Sequence, residues 1–473
     1  MLRRPATLPR VSPGAWALGI FAVALAARGA WSAYASADPF DGRLDDSPFY
    51  HFAARELAQG HGYLSLWSGG EPTALFPPGY PFFLGGLYFL FGVDPVVGEI
   101  ANVILGAATA VLAFALATLL FGRRTGVLAG TLLALFPGQA LFLPALMSEV
   151  LFTFLLLLAL VLAVWLVRRR TQPDQSAPRP GLLAPAAVGL IAGLAALVRG
   201  EGMLIPLIAV PFWVAGFGAW KPALRASAIA LPAMLALVLP WSVRNYLVMD
   251  SPILLSSNIG GNFFMARYAD TLDRVAASEE LMDPYSRAPL QEQEVKLNNR
   301  GWGEGVTLLV SQPQREFAIA KTKAKALYDA DDDFLLHVEG FLSGKRLDEP
   351  LRNVLQRLAN GYYFAVLSLA GLGLAVAWQG RRREALLPPA LIAVWTVGQT
   401  VMLADTRYHF PIIPAFCLLA AMALAAAPEA ASALVRNTRR IALSKQPQAP
   451  IPALETPPTL PYTMSLRGPI DDY

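Results

Sequence analysis

Two stretches decide what kind of fold this chain can have. Residues 102–121 and 150–167 contain no charged side chain. An apolar run of about 18–20 residues is the length at which a helix crosses the hydrocarbon of a bilayer. Further blocks have the same character, so the expected class is all-α: a polytopic transmembrane helical protein. Composition agrees. The 473 residues are 55% hydrophobic and 15% charged, whereas a soluble domain is nearer a quarter charged. That excludes the two or three soluble domains that length alone would suggest. The single cysteine, Cys417, lies in an apolar run, which leaves neither a disulfide framework nor a cysteine metal cluster. No basic patch with interleaved aromatics points to nucleic acid. Arg3, Arg4 and Arg10 precede the first apolar block without a clear small-residue cleavage motif after it. That block reads as an uncleaved helix.

Ten blocks are long enough to span: about 14–34, 95–121, 126–144, 148–167, 182–198, 202–219, 224–243, 361–379, 386–404 and 408–427. An eleventh, GYPFFLGGLYFLFG at 79–92, has 14 residues. It would cover about 21 Å of a core about 30 Å thick. Charge placement decides its status. With the N-terminus cytoplasmic and 79–92 not crossing, Arg123, Arg124, Arg168 to Arg170, Arg179, Lys221 and Arg381 to Arg383 all fall inside. Only Arg199 and Arg407 then remain in short outer connections, a positive-inside pattern that a crossing at 79–92 would invert. The segment therefore reads as juxtamembrane or re-entrant.

The expected organisation follows. A cytoplasmic N-terminus occupies 1–13, and a transmembrane core covers 14–243, with its first outer loop at 35–94. An extracytoplasmic loop subdomain covers 244–360, with helical spacing at 313–328. Spans resume over 361–427, and a Pro-rich, disordered cytoplasmic tail fills 428–473. Both termini would face the cytoplasm, in a cell inner (plasma) membrane.

The chemistry gathers at outer span ends. RLDDSPFYHF at 43–52 sets Asp45 and Asp46 before a short helix. Asp46 or Ser47 suits its cap, Pro48 its first turn and Gly60 its end. On this local pattern alone Asp46 is a helix cap. Other charges share that face: Glu149 in LMSEVLF, Arg199 and Glu201 in VRGEG, Arg244 in PWSVRNY, and Asp405, Arg407 and Tyr408 in LADTRYHFP. Snorkelling accounts for any one of them. It does not explain why the cytoplasmic span ends hold little besides ordinary Lys and Arg. Guanidinium groups bind phosphate in a two-pronged way, and a carboxylate can take a proton from an attacking hydroxyl or amine. Lipid-linked phosphate is a good leaving group, and a polyprenyl chain would lie in the bilayer beside the spans. SSNIGGNFFMARY at 256–268 places a Gly pair beside Asn258 and Asn262, which reads as a turn.

At these residues the sequence resembles the membrane glycosyltransferases of the GT-C architecture, in particular the dolichyl-phosphate-mannose–protein mannosyltransferase-like group. That group includes the lipid A aminoarabinose transferases and bacterial sugar transferases acting on lipopolysaccharide. The resemblance runs over roughly 14–427. It rests on DSPFYHFAARELAQGHGY at 46–63, PPGYPFFLGGLYFLFG at 77–92, SEVLF at 148–152, RGEG at 199–202, PWSVRN at 240–245 and RYHFP at 407–411, in that order. Glu99 stands where relatives often carry Arg, and Gly200 where Pro is common. The resemblance implies transfer of a sugar, with inversion, from a polyprenyl-phosphate donor to a lipid, glycan or protein acceptor on the non-cytoplasmic side.

By the same resemblance Asp46 is the base or acceptor-binding group, with Asp45 its neighbour and Glu149 a second acid. Arg244 and Arg407, with Tyr408, are candidates for the donor phosphate, and Tyr50, Arg199 and Glu201 for substrate contacts. Asp45, Asp46 and Glu149 offer oxygen ligands to a divalent ion. Adjacent acids on a loop seldom converge on one ion, so no cofactor is required on this reading. The alternative is a transporter or flippase of a lipid-linked or anionic substrate. That would call for ionisable mid-span residues and internal repeats, and Glu and Arg are essentially absent from mid-span positions.

Overall fold

The structure is a computed structural model that describes residues 11–35, 46–171, 181–268, 284, 288–332, 334–335, 347–380 and 383–444. The chain divides into two compact units, Met1–Ala426 and Ala427–Tyr473. The first holds everything described below, and in the second the last helix continues to Ser444.

Among the described residues the regular elements are helices, apart from an isolated antiparallel bridge between Leu64 and Pro72. The elements are α1 (Pro13–Ala35), α2 (Ser47–Ala58), α3 (Gly79–Phe91), α4 (Pro95–Phe121), α5 (Arg123–Ala134), α6 (Pro137–Phe142), α7 (Ser148–Thr171) and α8 (Leu183–Val198). After a 3-10 turn at Gly200–Leu204 come α9 (Ile205–Phe217), α10 (Trp220–Met249) and α11 (Asn258–Tyr268). The chain continues through α12 (Leu290–Ser311), α13 (Pro313–Leu327), α14 (Glu349–Gln379) and α15 (Leu387–Val401), and past a 3-10 turn at Thr406–Ile412 to α16 (Ile413–Ser444).

Among the described residues, seven helices are long and apolar enough to cross a membrane: 13–35, 95–121, 148–171, 200–217, 220–249, 349–379 and 406–428. Three shorter apolar helices, α3, α8 and α15, accompany them. α10 leaves Leu224, Leu231, Leu235, Leu239, Val243 and Leu247 exposed. A one-sided apolar stripe of that length belongs against lipid. At the centre stands α7, the span most enclosed by protein. It runs from Glu149 to Arg168–Arg170, about 28 Å at 1.5 Å per residue. At the Arg168 end, Arg168 Nη2 donates to Leu120 O at 3.3 Å and Arg123 Nη1 to Val11 O at 3.3 Å, while the Arg170 guanidinium lies over the Phe217 ring. The basic connections thus gather at one end of the bundle and the acidic signposts at the other.

The block 126–144 is not one helix. α5 ends at Ala134 and α6 begins at Pro137, with Phe136 extended at φ −70°, ψ 111°. Proline has no N–H to continue the ladder and drives the residue before it out of the helical region. The carbonyls this frees are met by Arg28, whose Nη1 and Nη2 donate to Ala134 O and Leu133 O at 2.6 and 2.8 Å. Arg28 lies inside the first span, fully buried, so the expectation of spans essentially without Arg does not hold there. Its partners are main-chain acceptors, which gives it a structural task.

The remaining polar anchors tie the connections at the other, acidic end of the bundle together. Glu294 on α12 accepts from Thr73 Oγ1 (2.7 Å), Ala74 N (2.8 Å) and Ser257 Oγ (2.5 Å). Gly260 on α11 packs on Gly301 of α12 with backbones in contact, so the Gly pair expected to form a turn opens a helix instead. The helix expected near 313–328 is α13. Its Lys323 Nζ donates to Thr400 O and Met402 O, each at 3.1 Å, capping the last turn of α15.

α8 and α10 approach closely through Gly189, where an added Cβ would collide with the carbonyl of Ala230. Gly189→Ala should part these helices and lower stability by about 1–3 kcal/mol. Thermal unfolding in detergent checks this, and an unchanged midpoint would show that the contact yields freely.

Candidate active site

Four chain segments meet at the non-basic end: the start of α2, the start of α7, the junction between α8 and the 3-10 turn Gly200–Leu204, and the turn Thr406–Ile412. Arg199 is the hub. Its Nη1 lies 2.7 Å from Glu149 Oε1 and donates to Ser148 Oγ at 3.2 Å, and its Nη2 donates to Glu201 Oε1 at 3.1 Å. Glu201 also accepts from Gln399 Nε2 of α15 at 3.1 Å. The Glu149 side chain is only 1% exposed. Burial works against the Arg199 charge, yet Glu201 and Glu149 outweigh it and hold the guanidinium more firmly protonated than usual.

Asp46 is held from a different direction. It precedes α2 but makes no side-chain cap, with its backbone helical at φ −75°, ψ −15°. Its Oδ2 instead accepts from Arg407 Nη2 at 3.3 Å. Both side chains keep solvent contact, Arg407 at 15% and Asp46 at 24%. Arg407 Nη2 also reaches the Tyr408 hydroxyl at 3.3 Å. The Tyr408 ring lies under both guanidinium groups, 5.1 Å from Arg407 and 5.4 Å from Arg199. Tyr50, one turn into α2, is buried and donates to Ser148 Oγ at 3.4 Å. Burial pushes its phenol pKa up, the Asp46 and Glu149 charges push it further, and Arg199 opposes them.

Asp46, Tyr50, Glu149, Arg199, Glu201, Arg407 and Tyr408 therefore form one connected cluster. Arg244 stands apart from it. Its Nη1 donates to Thr73 O at 2.5 Å and its Nη2 to Tyr63 O at 3.4 Å, with Trp241 stacked 4.8 Å away. It fastens the connection between α2 and α3 to α10. Asp45 lies outside the described residues. Asp405 accepts from Thr406 N at 2.8 Å and caps the following turn. Among the described residues no three His, Cys, Asp or Glu side chains converge as a metal site. Asp46 and Glu149, the two described carboxylates considered for an ion, are each turned to a guanidinium, a poor fit to a divalent cation.

Sequence reasoning passed over the support of this cluster. Trp395 Nε1 donates to Tyr408 O at 2.8 Å. His409 is fully buried, its Nδ1 2.8 Å from Leu327 O and its Nε2 3.0 Å from Asp331 Oδ1. A carbonyl can only accept, so Nδ1 carries a proton. Asp331 sits in the run YDADDDF, which looks like solvated charge. Nothing local marks it as buried. Gln399 did carry a signal, as an amide in an otherwise apolar helix.

Residues 76–243 match the family model described as dolichyl-phosphate-mannose-protein mannosyltransferase. No curated protein matches the sequence. Among solved structures, the chain is similar to the oligosaccharyltransferase AglB from Archaeoglobus fulgidus in complex with an inhibitory peptide and a dolichol-phosphate. The two are 16% identical, with 92% of this chain and 52% of that one covered and a TM-score of 0.54. The chain has the GT-C fold. The Archaeoglobus enzyme tethered to an acceptor peptide gives 17% identity, 87% and 49% coverage and a TM-score of 0.53. ArnT from Cupriavidus metallidurans bound to undecaprenyl phosphate gives 17% identity, 88% and 78% coverage and a TM-score of 0.39. This GT-C chain spans about half the length of the oligosaccharyltransferase it matches.

The buried Asp331 carboxyl makes the stability of the chain depend on pH. Burial pushes the Asp331 carboxyl up to about 6, against the opposing hydrogen bond to His409. A carboxyl raised above its unfolded value of about 3.9 contributes stability that is complete below that value and lost as pH rises through the folded one. Asp331→Asn should remove that loss between about pH 4 and pH 6. The measurement is the difference between the unfolding-midpoint curves of the two proteins against pH, and a flat difference would contradict it.

Proposed function

We propose that this GT-C chain is an integral membrane glycosyltransferase. It transfers a sugar from a polyprenyl-phosphate-linked donor to a lipid, glycan or protein acceptor on the non-cytoplasmic face, inverting the sugar carbon. The observation that carries this reading is the pairing of Asp46 with Arg407. It sets a carboxylate and a guanidinium that both keep solvent contact side by side at the end of the bundle away from its basic connections. The positive-inside pattern assigns that end to the outside. The family match over 76–243 and the GT-C fold support a lipid-linked donor, as does the dolichol-phosphate in the AglB complex.

In this reading the acceptor nucleophile attacks the anomeric carbon. The bond from that carbon to the phosphate oxygen breaks, and polyprenyl phosphate leaves with the electron pair. Asp46 takes the acceptor's proton or binds the acceptor in place. Arg407, with the Tyr408 hydroxyl beside it, holds the donor phosphate, because its guanidinium opens toward solvent and has a planar fork for oxygen pairs. We assign this task to Arg407 rather than Arg244, whose η nitrogens face main-chain carbonyls. Tyr50, Arg199 and Glu201 form the floor on which the substrates rest, and Glu149 fixes Arg199.

Removing a general base typically lowers rate by about 10²–10⁴-fold. Asp46→Asn should therefore reduce transfer by that order while membrane abundance stays normal, read by mass spectrometry of cell-envelope lipids and glycans. Comparison with a strain lacking the protein identifies the decorated product. Unchanged transfer in the Asn variant removes Asp46 from the mechanism.

A further inference from the structure

The corner between α12 and α13 exposes a surface that the site does not use. Trp302, Val306, Leu309 and Val310 follow one another at helical spacing and are all exposed, Val310 at 74%. Phe317, one turn past Pro313, is 80% exposed. The adjoining face of α12 carries Gly301 and Gly305, packed on α11. From Trp302 to Lys325 the exposed charged side chains include Lys321 and Lys325, and Glu304, whose side chain is 40% exposed, pairs with Arg300. Lys321 and Lys325 follow Phe317 at intervals of four on α13, which puts all three on one helix face. Glu316 is drawn to Arg267.

The height of this corner is fixed by its anchors. Lys323 donates to the carbonyls of Thr400 and Met402, and Arg267 Nη2 to Val401 O at 2.8 Å. These are the last carbonyls of α15, an apolar helix whose Val397 and Val401 are themselves exposed. The corner is therefore seated at the level where the apolar belt of the bundle ends, on the end that carries the Asp46–Arg407 cluster.

We infer that the α12–α13 corner is a membrane-docking surface. Leu309, Val310 and Phe317 enter the interfacial layer of the adjacent leaflet, with Lys321 and Lys325 on anionic headgroups. An aromatic and aliphatic face flanked by lysines is the pattern of a helix lying in that layer. α13 is tied through Lys323 to the end of α15, an apolar helix with Val397 and Val401 exposed, which makes the bilayer the occupant of this surface. The inference does not depend on the reaction proposed above.

The test uses the full chain in vesicles of phosphatidylcholine with or without phosphatidylglycerol. Cys417→Ala removes the one native thiol, and Val310→Cys or Phe317→Cys carries a nitrobenzoxadiazole label. Docking predicts blue-shifted emission that doxyl-labelled lipid quenches several-fold more strongly than iodide does. Lys321→Glu with Lys325→Glu should lower the docked fraction by about fivefold per lysine in the phosphatidylglycerol vesicles, and have little effect in phosphatidylcholine alone. Quenching by iodide but not by doxyl lipid at both positions would overturn the inference. So would shielding from both quenchers, which would mean that protein covers the corner.

Discussion

The site end of this protein depends on Arg199. Its guanidinium sits between Glu149 and Glu201, at the meeting point of α7, α8 and the turn that starts α9. Taking a charge out of water costs several kcal/mol per ion, which is recovered only when geometry and extra hydrogen bonds are good. Here Ser148 and Gln399 supply those bonds, one to the cation and one to an anion. The arrangement therefore requires three helix ends to stop at the same depth. A helix that ran one turn further would leave a buried charge unmatched.

Arg407 is placed by a second set of constraints that comes from the connections at this end. The turn at Thr406–Ile412 is pinned by Trp395 to α15 and by His409 to the end of α13 and to Asp331. Lys323 of α13 holds the end of α15 in its turn, with its ammonium pushed down to about 8 by burial. The long segment between α10 and α14 thus does more than cover the site. It sets where the second guanidinium stands relative to Asp46, which stands at the start of α2.

Much of this was legible in the sequence because hydrophobicity and charge placement act over whole helices. Long apolar runs gave the spans, and the clustering of Lys and Arg gave the two ends. Asp46, Glu149, Arg199, Glu201 and Arg407 stood out because charge at the edge of an apolar layer is rare. Features set by one neighbour in space were not legible. Asp46 looks like a cap, and it is Arg407, 361 residues away, that draws its side chain off the helix. Arg244 has the same local signature as Arg407, yet the carbonyls of the folded connection between α2 and α3 claim it. The break in 126–144 was signalled by Pro137, but a long apolar run concealed it. Arg28 went unremarked because its role depends on carbonyls freed by that break, more than a hundred residues away.

The charge balance at the site bears on how a phosphate would enter it. Asp46, Glu149 and Glu201 are three carboxylates against the two guanidinium groups of Arg199 and Arg407. Arg199 spends both η nitrogens on its two carboxylates, so it cannot turn them to a new anion without stranding one of those carboxylates. Arg407 is paired with Asp46 at 3.3 Å and keeps part of its side chain in contact with solvent. An arriving phosphate would therefore compete with Asp46 for Arg407. The fork of five donors can keep both in reach, but the Asp46 contact must loosen as the phosphate settles. On the proposed reading, donor binding and release of the base are the same event. An acceptor proton would find Asp46 least encumbered when the leaving group is already held.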